Sequence, residues 1–187
     1  MYRIVGILGP SGSGKDTLLK ELIAAAKDKN IDFHEVVLTT TRPKRDYEVH
    51  GRHYWFISKN EFIKSDTLVG STWFNNWGYA IDTNNLSKDK TNVVVLNPKM
   101  ALELKYEDNI QLSLYRLYVD DKERLLRQLL RESKPNCKEI CRRFLADEED
   151  SVFYSNLNIV TGFKNDTREE MKRNVDYLLT IVGSWKN

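Results

Sequence analysis

The residues of this sequence best suited to chemistry form a glycine-rich segment near the N-terminus. Residues 9–15 are Gly-Pro-Ser-Gly-Ser-Gly-Lys, the pattern G-x-x-x-x-G-K, between an apolar run and a helical periodicity. Glycines let the backbone turn so that successive N–H groups converge on phosphate oxygens, and the lysine adds a mobile cation. A loop that merely turns the chain does not explain this coincidence. We predict a triphosphate-binding loop formed by Gly9, Ser11, Gly12, Ser13, Gly14, Lys15, Asp16 and Thr17.

One position of this glycine loop departs from the usual pattern. A serine or threonine normally follows the lysine and ligates Mg²⁺, whereas this chain has Asp16 and then Thr17. A carboxylate is also a hard oxygen ligand, but it repels the phosphates unless the metal lies between them. We expect ATP and Mg²⁺ to bind here, with Asp16 and Thr17 as the metal ligands.

A second informative stretch, residues 39–58, is basic and aromatic. Arg42 and Arg45 offer the planar, forked donors that suit a phosphate group, and with Tyr54 they form a candidate clamp for one. Taken alone, the same residues fit a solvated surface loop equally well.

Together, the glycine loop and this stretch resemble the guanylate kinase family. The family signature T-T-R-x-x-R-x-x-E-x-x-G-x-x-Y-x-F is matched from Thr40 to Phe56 without a gap. Residues 142–146, Arg-Arg-Phe-Leu-Ala, are similar to the family's lid and its R-L-x-x-A motif. The resemblance implies that the substrate is bound by Arg42, Arg45, Glu48, Tyr54, Gly78 and Tyr79. It implies that the catalytic residues are Lys15, Arg42, Arg127, Arg131 and Arg143.

The activity implied by the resemblance is ATP-dependent phosphoryl transfer to a nucleoside monophosphate, with GMP or dGMP as the first guess. Positions that recognise the base depart from the family, however. Leu38 stands where the family has a hydroxyl residue, Leu68 lies near its acidic guanine-binding position, and Asn97 replaces an aspartate. The family's Tyr-Gly-Ser/Thr element becomes Trp-Gly-Tyr at 77–79. A pocket that recognises a base by hydrogen bonds depends on such polar groups, so the acceptor stays open.

Two alternatives remain beside this interpretation. Ribose 1,5-bisphosphate phosphokinases are also similar, because they carry G-P-S-G-S-G-K-D and an asparagine after a V-L-V run, but they lack the E-x-x-G-x-x-Y-x-F stretch. A non-catalytic guanylate-kinase-like binding module is the alternative from another class. The retained Lys15 and the free-standing chain of 187 residues argue against it.

The candidate site residues need a fold that brings the ends of several strands together. Apolar runs predict strands at 3–8, 35–38, 93–96, 112–119 and 157–160, and helical periodicity follows most of them. Capping boxes that start helices are expected at 58–61, 120–123 and 167–170. This alternation predicts an α/β P-loop NTPase three-layer fold, with helices on both faces of a parallel sheet. We expect one kinase domain with its core at 1–38 and 87–187, a substrate-binding insertion at 39–86 and a lid at 131–143.

Composition limits the possible classes of function. The chain carries 29 basic and 27 acidic residues, a net charge of +2, which argues against a dedicated nucleic-acid or membrane-surface protein. No apolar run reaches the roughly 20 residues of a membrane span, and we expect no signal peptide. Cys137 and Cys141 fit reduced thiols in the cytoplasm better than a metal site. The expected partner is a small-molecule nucleotide or sugar phosphate, and the oligomeric state is left open.

Two further clusters have a structural interpretation. The aromatic residues Trp73, Phe74, Trp77 and Tyr79 are interpreted as the small core of the insertion, with stacking on a base as the alternative. The acidic run 147–150 is interpreted as a solvated helix end.

Overall fold

The computed structural model describes residues 1–46, 48–131 and 133–183. Tyr47 of the predicted insertion and Glu132 of the predicted lid lie outside these residues. The strands, in chain order, are β1 Tyr2–Leu8, β2 Phe33–Glu35, β3 Thr39–Thr40, β4 Trp55–Phe56, β5 Leu68–Phe74, β6 Trp77–Asp82, β7 Thr91–Val95, β8 Ile110–Tyr118 and β9 Ile159–Lys164. The helices are α1 Lys15–Asp28, α2 Lys59–Lys64, α3 Pro98–Leu104, α4 Asp121–Leu130, α5 Cys137–Asp150 and α6 Arg168–Gly183.

A parallel sheet forms the centre of the molecule, with strands in the order β2, β7, β1, β8 and β9. The side chains of β1 alternate between two core layers. Val5 and Ile7 pack in a layer with residues of α1 and α6, whereas Ile4 and Leu8 pack in a layer with residues of α3. Burial on both faces explains why these strands are continuous apolar runs. The predicted three-layer α/β fold is confirmed.

Several helices begin directly after the polar capping residues that the sequence predicts. Two of the predicted capping boxes are complete, at Ser58 with Glu61 and at Thr167 with Glu170. The one at the start of α4 is not, because the N–H of Asp120 donates to a different carboxylate. Its own carboxylate still accepts a first-turn N–H of α4, so the helix begins where the pattern predicts.

The insertion forms a second sheet, with strands in the order β4, β3, β6 and β5. Thr40 lies beside Phe56 on β4 and Tyr79 on β6, so these three side chains share one face, which we call the front face. Thr39 and Trp55 lie on the opposite, back face. Tyr79 packs against the core layer beside α3, and the front face therefore looks toward the central sheet. The exact division into core, insertion and lid stays a prediction.

Two predicted strands are displaced along the chain. β2 ends at Glu35, although the apolar residues 36–38 predict that it continues, and β9 runs from Ile159 to Lys164 rather than over 157–160. Val36 packs into the core and still donates its N–H to β7 at 3.0 Å, whereas the Leu38 carbonyl accepts from Trp55 of the second sheet. Apolar runs mark buried segments, but hydrogen bonding to neighbours decides where a strand starts and stops.

Helix α4 buries a polar side. It carries leucines along one side, yet Leu126 and Leu130 are exposed while Arg124 and Gln128 are buried. Helical periodicity locates the element without specifying which of its sides a neighbour covers.

No helix within the described ranges is both long and apolar enough to cross a bilayer. Cys137 and Cys141 are exposed free thiols on α5. In the part of the chain that the structure describes, no cluster of three or more His, Cys, Asp or Glu residues is suited to hold a metal.

Candidate active site

The glycine loop connects the end of β1 to the start of α1. Gly12 and Gly14 have φ of +82° and +91°, in the left-handed region that favours glycine. A Cβ on Gly12 would also lie 2.5 Å from the carbonyl oxygen of Arg124 on α4. Gly14 caps α1, whose first N–H groups have no acceptor within the helix and suit an anion. The local geometry is that of a phosphate-binding loop.

Lys15 folds back onto this loop. Its Nζ donates to the carbonyl oxygens of Gly9 and Pro10 at 2.7 and 2.9 Å. Burial lowers the pKa of the Lys15 ammonium, and the nearby carboxylates of Asp16 and Asp147 oppose that shift. The cation is thus held in the loop by bonds that phosphate oxygens can replace.

Asp16 and Thr17 lie in the first turn of α1 with exposed side chains. They present a carboxylate and a hydroxyl, which are hard oxygen ligands of the kind that Mg²⁺ prefers. Asp16 is close enough to influence the pKa of both Lys15 and Tyr54. Each residue thus offers an oxygen donor that suits Mg²⁺, and their joint role as metal ligands remains a prediction.

Helices α4 and α5 contact the glycine loop at Ser11. The carboxylate of Asp147 accepts the Ser11 N–H at 2.8 Å and the Ser11 hydroxyl at 3.2 Å. Arg124, which is only 1% exposed, donates to the same carboxylate at 3.1 Å. The interpretation of 147–150 as a solvated helix end is thus wrong at Asp147. Sequence reasoning missed Asp147 and Arg124, because nothing in a run of four acidic residues singles out the one that turns inward.

Of the arginines predicted around the transferring phosphoryl group, Arg127 has a measured contact with the loop region. Arg127 Nη2 donates to the Asp166 carbonyl at 2.7 Å, and its Nη1 lies 4.0 Å from the Cβ position of Gly14. Arg143 lies on α5, and Arg131 is exposed at the end of α4. The structure therefore brings Arg127 to the loop, and the catalytic roles of all three remain predictions.

Glu139 holds the arginines of α5. It accepts from Arg142 at 2.7 and 2.8 Å and from Arg143 at 2.8 Å. These two guanidinium groups, Arg142 first, lower the pKa of Glu139 to about 2. Arg142 also lies 5.3 Å over the ring of Phe74 at the end of β5, so α5 touches the second sheet.

The predicted phosphate clamp is organised by Glu48. Its two carboxylate oxygens accept from Arg42 Nη2 at 2.6 Å and from the backbone N–H of Arg45 at 2.8 Å. The hydrogen bond to Arg42 is the main reason that the pKa of Glu48 is lowered and that of Arg42 raised. Glu48 is 6% exposed, whereas the Arg45 side chain is exposed. Because both its oxygens are engaged, Glu48 positions the clamp.

Aromatic rings on the front face complete this clamp. The Arg42 guanidinium lies 5.3 Å from the ring centre of Tyr54 and 5.6 Å from that of Phe56, and Tyr54 contacts Tyr79 edge-on at 6.0 Å. Burial raises the pKa of Tyr54, so its hydroxyl remains a donor at neutral pH. Gly78 lies against α2, where a Cβ would be 2.9 Å from an aromatic ring.

The positions that depart from the family do not form a polar base pocket. Leu38 packs against the core layer beside α3. Leu68 lines a cavity of about 310 Å³ together with Thr39 and Trp55, on the back face and therefore away from Arg42. Asn97 caps α3 by accepting the N–H of the third helical residue at 2.8 Å.

Comparison with known proteins identifies related sequences. Residues 1–148 match the family model described as Guanylate kinase. The guanylate kinase of Mycoplasmoides gallisepticum is 34% identical over 113 residues, which cover 58% of this chain and 53% of that protein. That of Agrobacterium fabrum is 50% identical over 56 residues, which cover 30% of this chain and 24% of that protein. The chain thus spans about half or less of the length of the curated relatives it matches.

Two solved structures share the fold. The guanylate kinase from Anaplasma phagocytophilum superposes with a TM-score of 0.67 at 14% identity, over 99% of this chain and 86% of that one. A shikimate kinase from Bacteroides thetaiotaomicron gives a TM-score of 0.50 at 14% identity, over 97% of this chain and 98% of that one. At such identities the likeness supports the fold alone.

Proposed function

This chain belongs to the guanylate kinase family, and on that premise we propose that it transfers the γ-phosphoryl group of ATP to a nucleoside monophosphate. GMP or dGMP is the first acceptor to test. The products are ADP and a nucleoside diphosphate. Mg²⁺ would be held by Asp16 and Thr17, where it would neutralise phosphate charge.

One observation carries this proposal: the glycine loop and the arginine clamp lie near each other. Tyr79 on the front face packs against the core layer beside α3, and the carboxylate of Asp16, in the first turn of α1 after the loop, is close enough to Tyr54 to add to the rise that burial causes in its pKa. A donor triphosphate on the loop and an acceptor phosphate on the clamp would therefore meet. A cleft with two phosphate sites is what phosphoryl transfer between two nucleotides requires.

The residues of the chain contribute mainly position and charge. Such transfers pass through a loose transition state, so a strong base is not needed. Lys15 exchanges its bonds to Gly9 and Pro10 for phosphate oxygens and meets the developing charge. Arg42, fixed by Glu48, orients the acceptor phosphate, and protonated Tyr54 donates to it. Arg142 of α5 lies over Phe74 of the second sheet, and a closed contact at this point would help to exclude water, which otherwise hydrolyses the donor.

The identity of the base is the open part of this proposal. The side chains of Leu38 and Leu68, at positions where the family has polar groups, have no hydrogen-bonding atoms, so we expect weaker discrimination between bases than a site with polar groups gives. Asp16 and Asn97 are the features shared with the sugar phosphate kinases, and no contact of the described residues adds to them. The intact loop with Lys15 speaks against a binding module without catalysis.

A coupled assay of ADP formation tests the proposal. ATP with Mg²⁺ is offered with each of the common nucleoside and deoxynucleoside monophosphates, and with ribose 1,5-bisphosphate, and Arg42→Ala serves as the control. We expect acceptor-dependent turnover with at least one monophosphate and a strong loss of acceptor use in the control. Absence of turnover with every monophosphate, or turnover with the sugar phosphate alone, would refute the assignment.

A further inference from the structure

A carboxylate from α5 contacts the glycine loop at Ser11, a residue to which the proposed mechanism gives no separate step. Asp147 accepts both donors of Ser11, the N–H at 2.8 Å and the hydroxyl at 3.2 Å. Gln128 lies with its Nε2 at 3.5 Å from the Ser11 carbonyl, so α4 reaches the remaining polar group of this residue. Ser11 is therefore held through its N–H and hydroxyl by α5 and approached at its carbonyl by α4.

Asp147 is itself fixed by a buried cation. Arg124 donates to Asp147 at 3.1 Å, to Asp121 at 2.8 Å and to Glu148 at 2.7 Å, and its guanidinium lies 3.6 Å from the ring centre of Phe144. Its side chain is 1% exposed, that of Asp147 is 20% exposed, and that of Glu148 is 58% exposed. Of these partners, Asp147 is the one that also contacts the loop.

Backbone packing adds to this arrangement. The Arg124 carbonyl lies 2.5 Å from the Cβ position of Gly12, so the backbone of α4 lies directly against the loop. The outer part of the loop, residues 11–12, is thus enclosed by α4 and α5. A loop that is ordered in advance spares the entropy of ordering it on binding.

We infer that Asp147 is a positioning residue, which, oriented by Arg124, fixes Ser11 so that the loop is preorganised for the donor nucleotide. This inference rests on the proposed function for the identity of the nucleotide. Arg143 precedes Asp147 by about one turn on the same helix. Docking of Asp147 on Ser11 therefore also sets the distance of Arg143 from the loop.

The same contact could instead make Asp147 a competitor of the nucleotide. A carboxylate bonded to a loop N–H lies where it would compete with a phosphate oxygen, and its removal would then tighten nucleotide binding. Positioning predicts weaker binding on removal, and competition predicts stronger binding, so the sign of the change decides between them.

The test compares Asp147→Ala with Glu148→Ala. Both remove one carboxylate from Arg124, but Glu148 does not contact the loop in the described structure. We expect Asp147→Ala to raise the KM for ATP and the Kd of a non-hydrolysable ATP analogue about tenfold, as for a lost charge-assisted hydrogen bond. We expect Glu148→Ala to stay within about twofold, and the acceptor KM to be unchanged in both. Asp147→Asn should recover most of the loss, because its amide can still accept the Ser11 N–H.

Hydrogen exchange at the amides of residues 11–12 gives a readout independent of activity, and we expect it to rise in Asp147→Ala alone. If Asp147→Ala does not fold, the double variant Arg124→Met/Asp147→Leu takes its place, because it replaces both charges with apolar groups. We expect it to weaken analogue binding and to raise exchange at residues 11–12 in the same way. Unchanged or tighter analogue binding, or equal losses in the two alanine variants, would overturn the inference. Because analogue binding needs no acceptor, this result is separate from failure of the proposed transfer reaction.

Discussion

The clamp residue Glu48 allows a sharp test of how the acceptor site is organised. In Glu48→Gln, the side chain keeps its shape but loses the charge that binds Arg42 at 2.6 Å. Glu48 is 6% exposed, so water does not replace the lost interaction. A charge-assisted hydrogen bond contributes about 2 kcal/mol, and we expect the free energy of unfolding to fall by about that amount. If the acceptor complex loses the same amount, its KM rises about thirtyfold.

The pH dependence of this effect follows from the pKa of Glu48. That pKa is lowered in the folded protein, chiefly by Arg42. The stabilisation is therefore present above the ordinary carboxyl pKa and is lost as the pH falls through the folded value. The unfolding curves of the wild-type protein and of Glu48→Gln should differ at neutral pH and converge in acid.

Urea denaturation at several pH values and acceptor kinetics at saturating ATP measure these quantities. Glu61→Gln is the matched control, because it neutralises a carboxylate that caps α2 and lines the back-face cavity. We expect the control to leave the acceptor KM unchanged. A Glu48→Gln variant with a normal acceptor KM, or a stability loss that persists in acid, would refute the reasoning.

Three further substitutions test other parts of the site. Lys15→Ala should lower kcat by several orders of magnitude without changing the melting temperature by more than a few degrees, and steady-state kinetics with calorimetry measure both. Gly12→Ala should weaken ATP binding and lower stability, because its Cβ would lie 2.5 Å from the Arg124 carbonyl at a φ of +82°; calorimetric titration and thermal melts measure this. Glu139→Gln should change kcat more than either KM, because it removes the charge that holds Arg142 and Arg143. Since the pKa of Glu139 is about 2, the wild-type ion pairs should persist well below pH 4, which the pH profile of kcat checks.

Local patterns predicted the parts of the site whose geometry is specified within a few residues. The glycine loop and its helix follow from residues 9–15. The clamp of Arg42, Arg45 and Tyr54 is suggested by residue type, and Glu48 is implied by the family signature. In both cases neighbouring residues make the decisive contacts, such as the hydrogen bonds of Lys15 to Gly9 and of Glu48 to Arg42.

Contacts between distant segments could not be predicted in this way. Asp147 and Ser11 are 136 positions apart, and the acidic run around Asp147 looks like any solvated helix end. The buried side of α4 could not be predicted either. Its leucines form the more obvious apolar pattern, whereas Arg124 is the side chain that packs inward. A buried arginine is recognisable only when its carboxylate partners are known in space.

Helix α5 touches both halves of the cleft at positions five residues apart. Arg142 lies over Phe74 of the second sheet, and Asp147 is bonded to Ser11 of the glycine loop. A displacement of this helix would therefore change both contacts together, which gives the donor and acceptor sites a physical route for coupling. Where such coupling exists, thermodynamic linkage makes it reciprocal. A bound acceptor changes the affinity for the donor by the same factor as a bound donor changes the affinity for the acceptor.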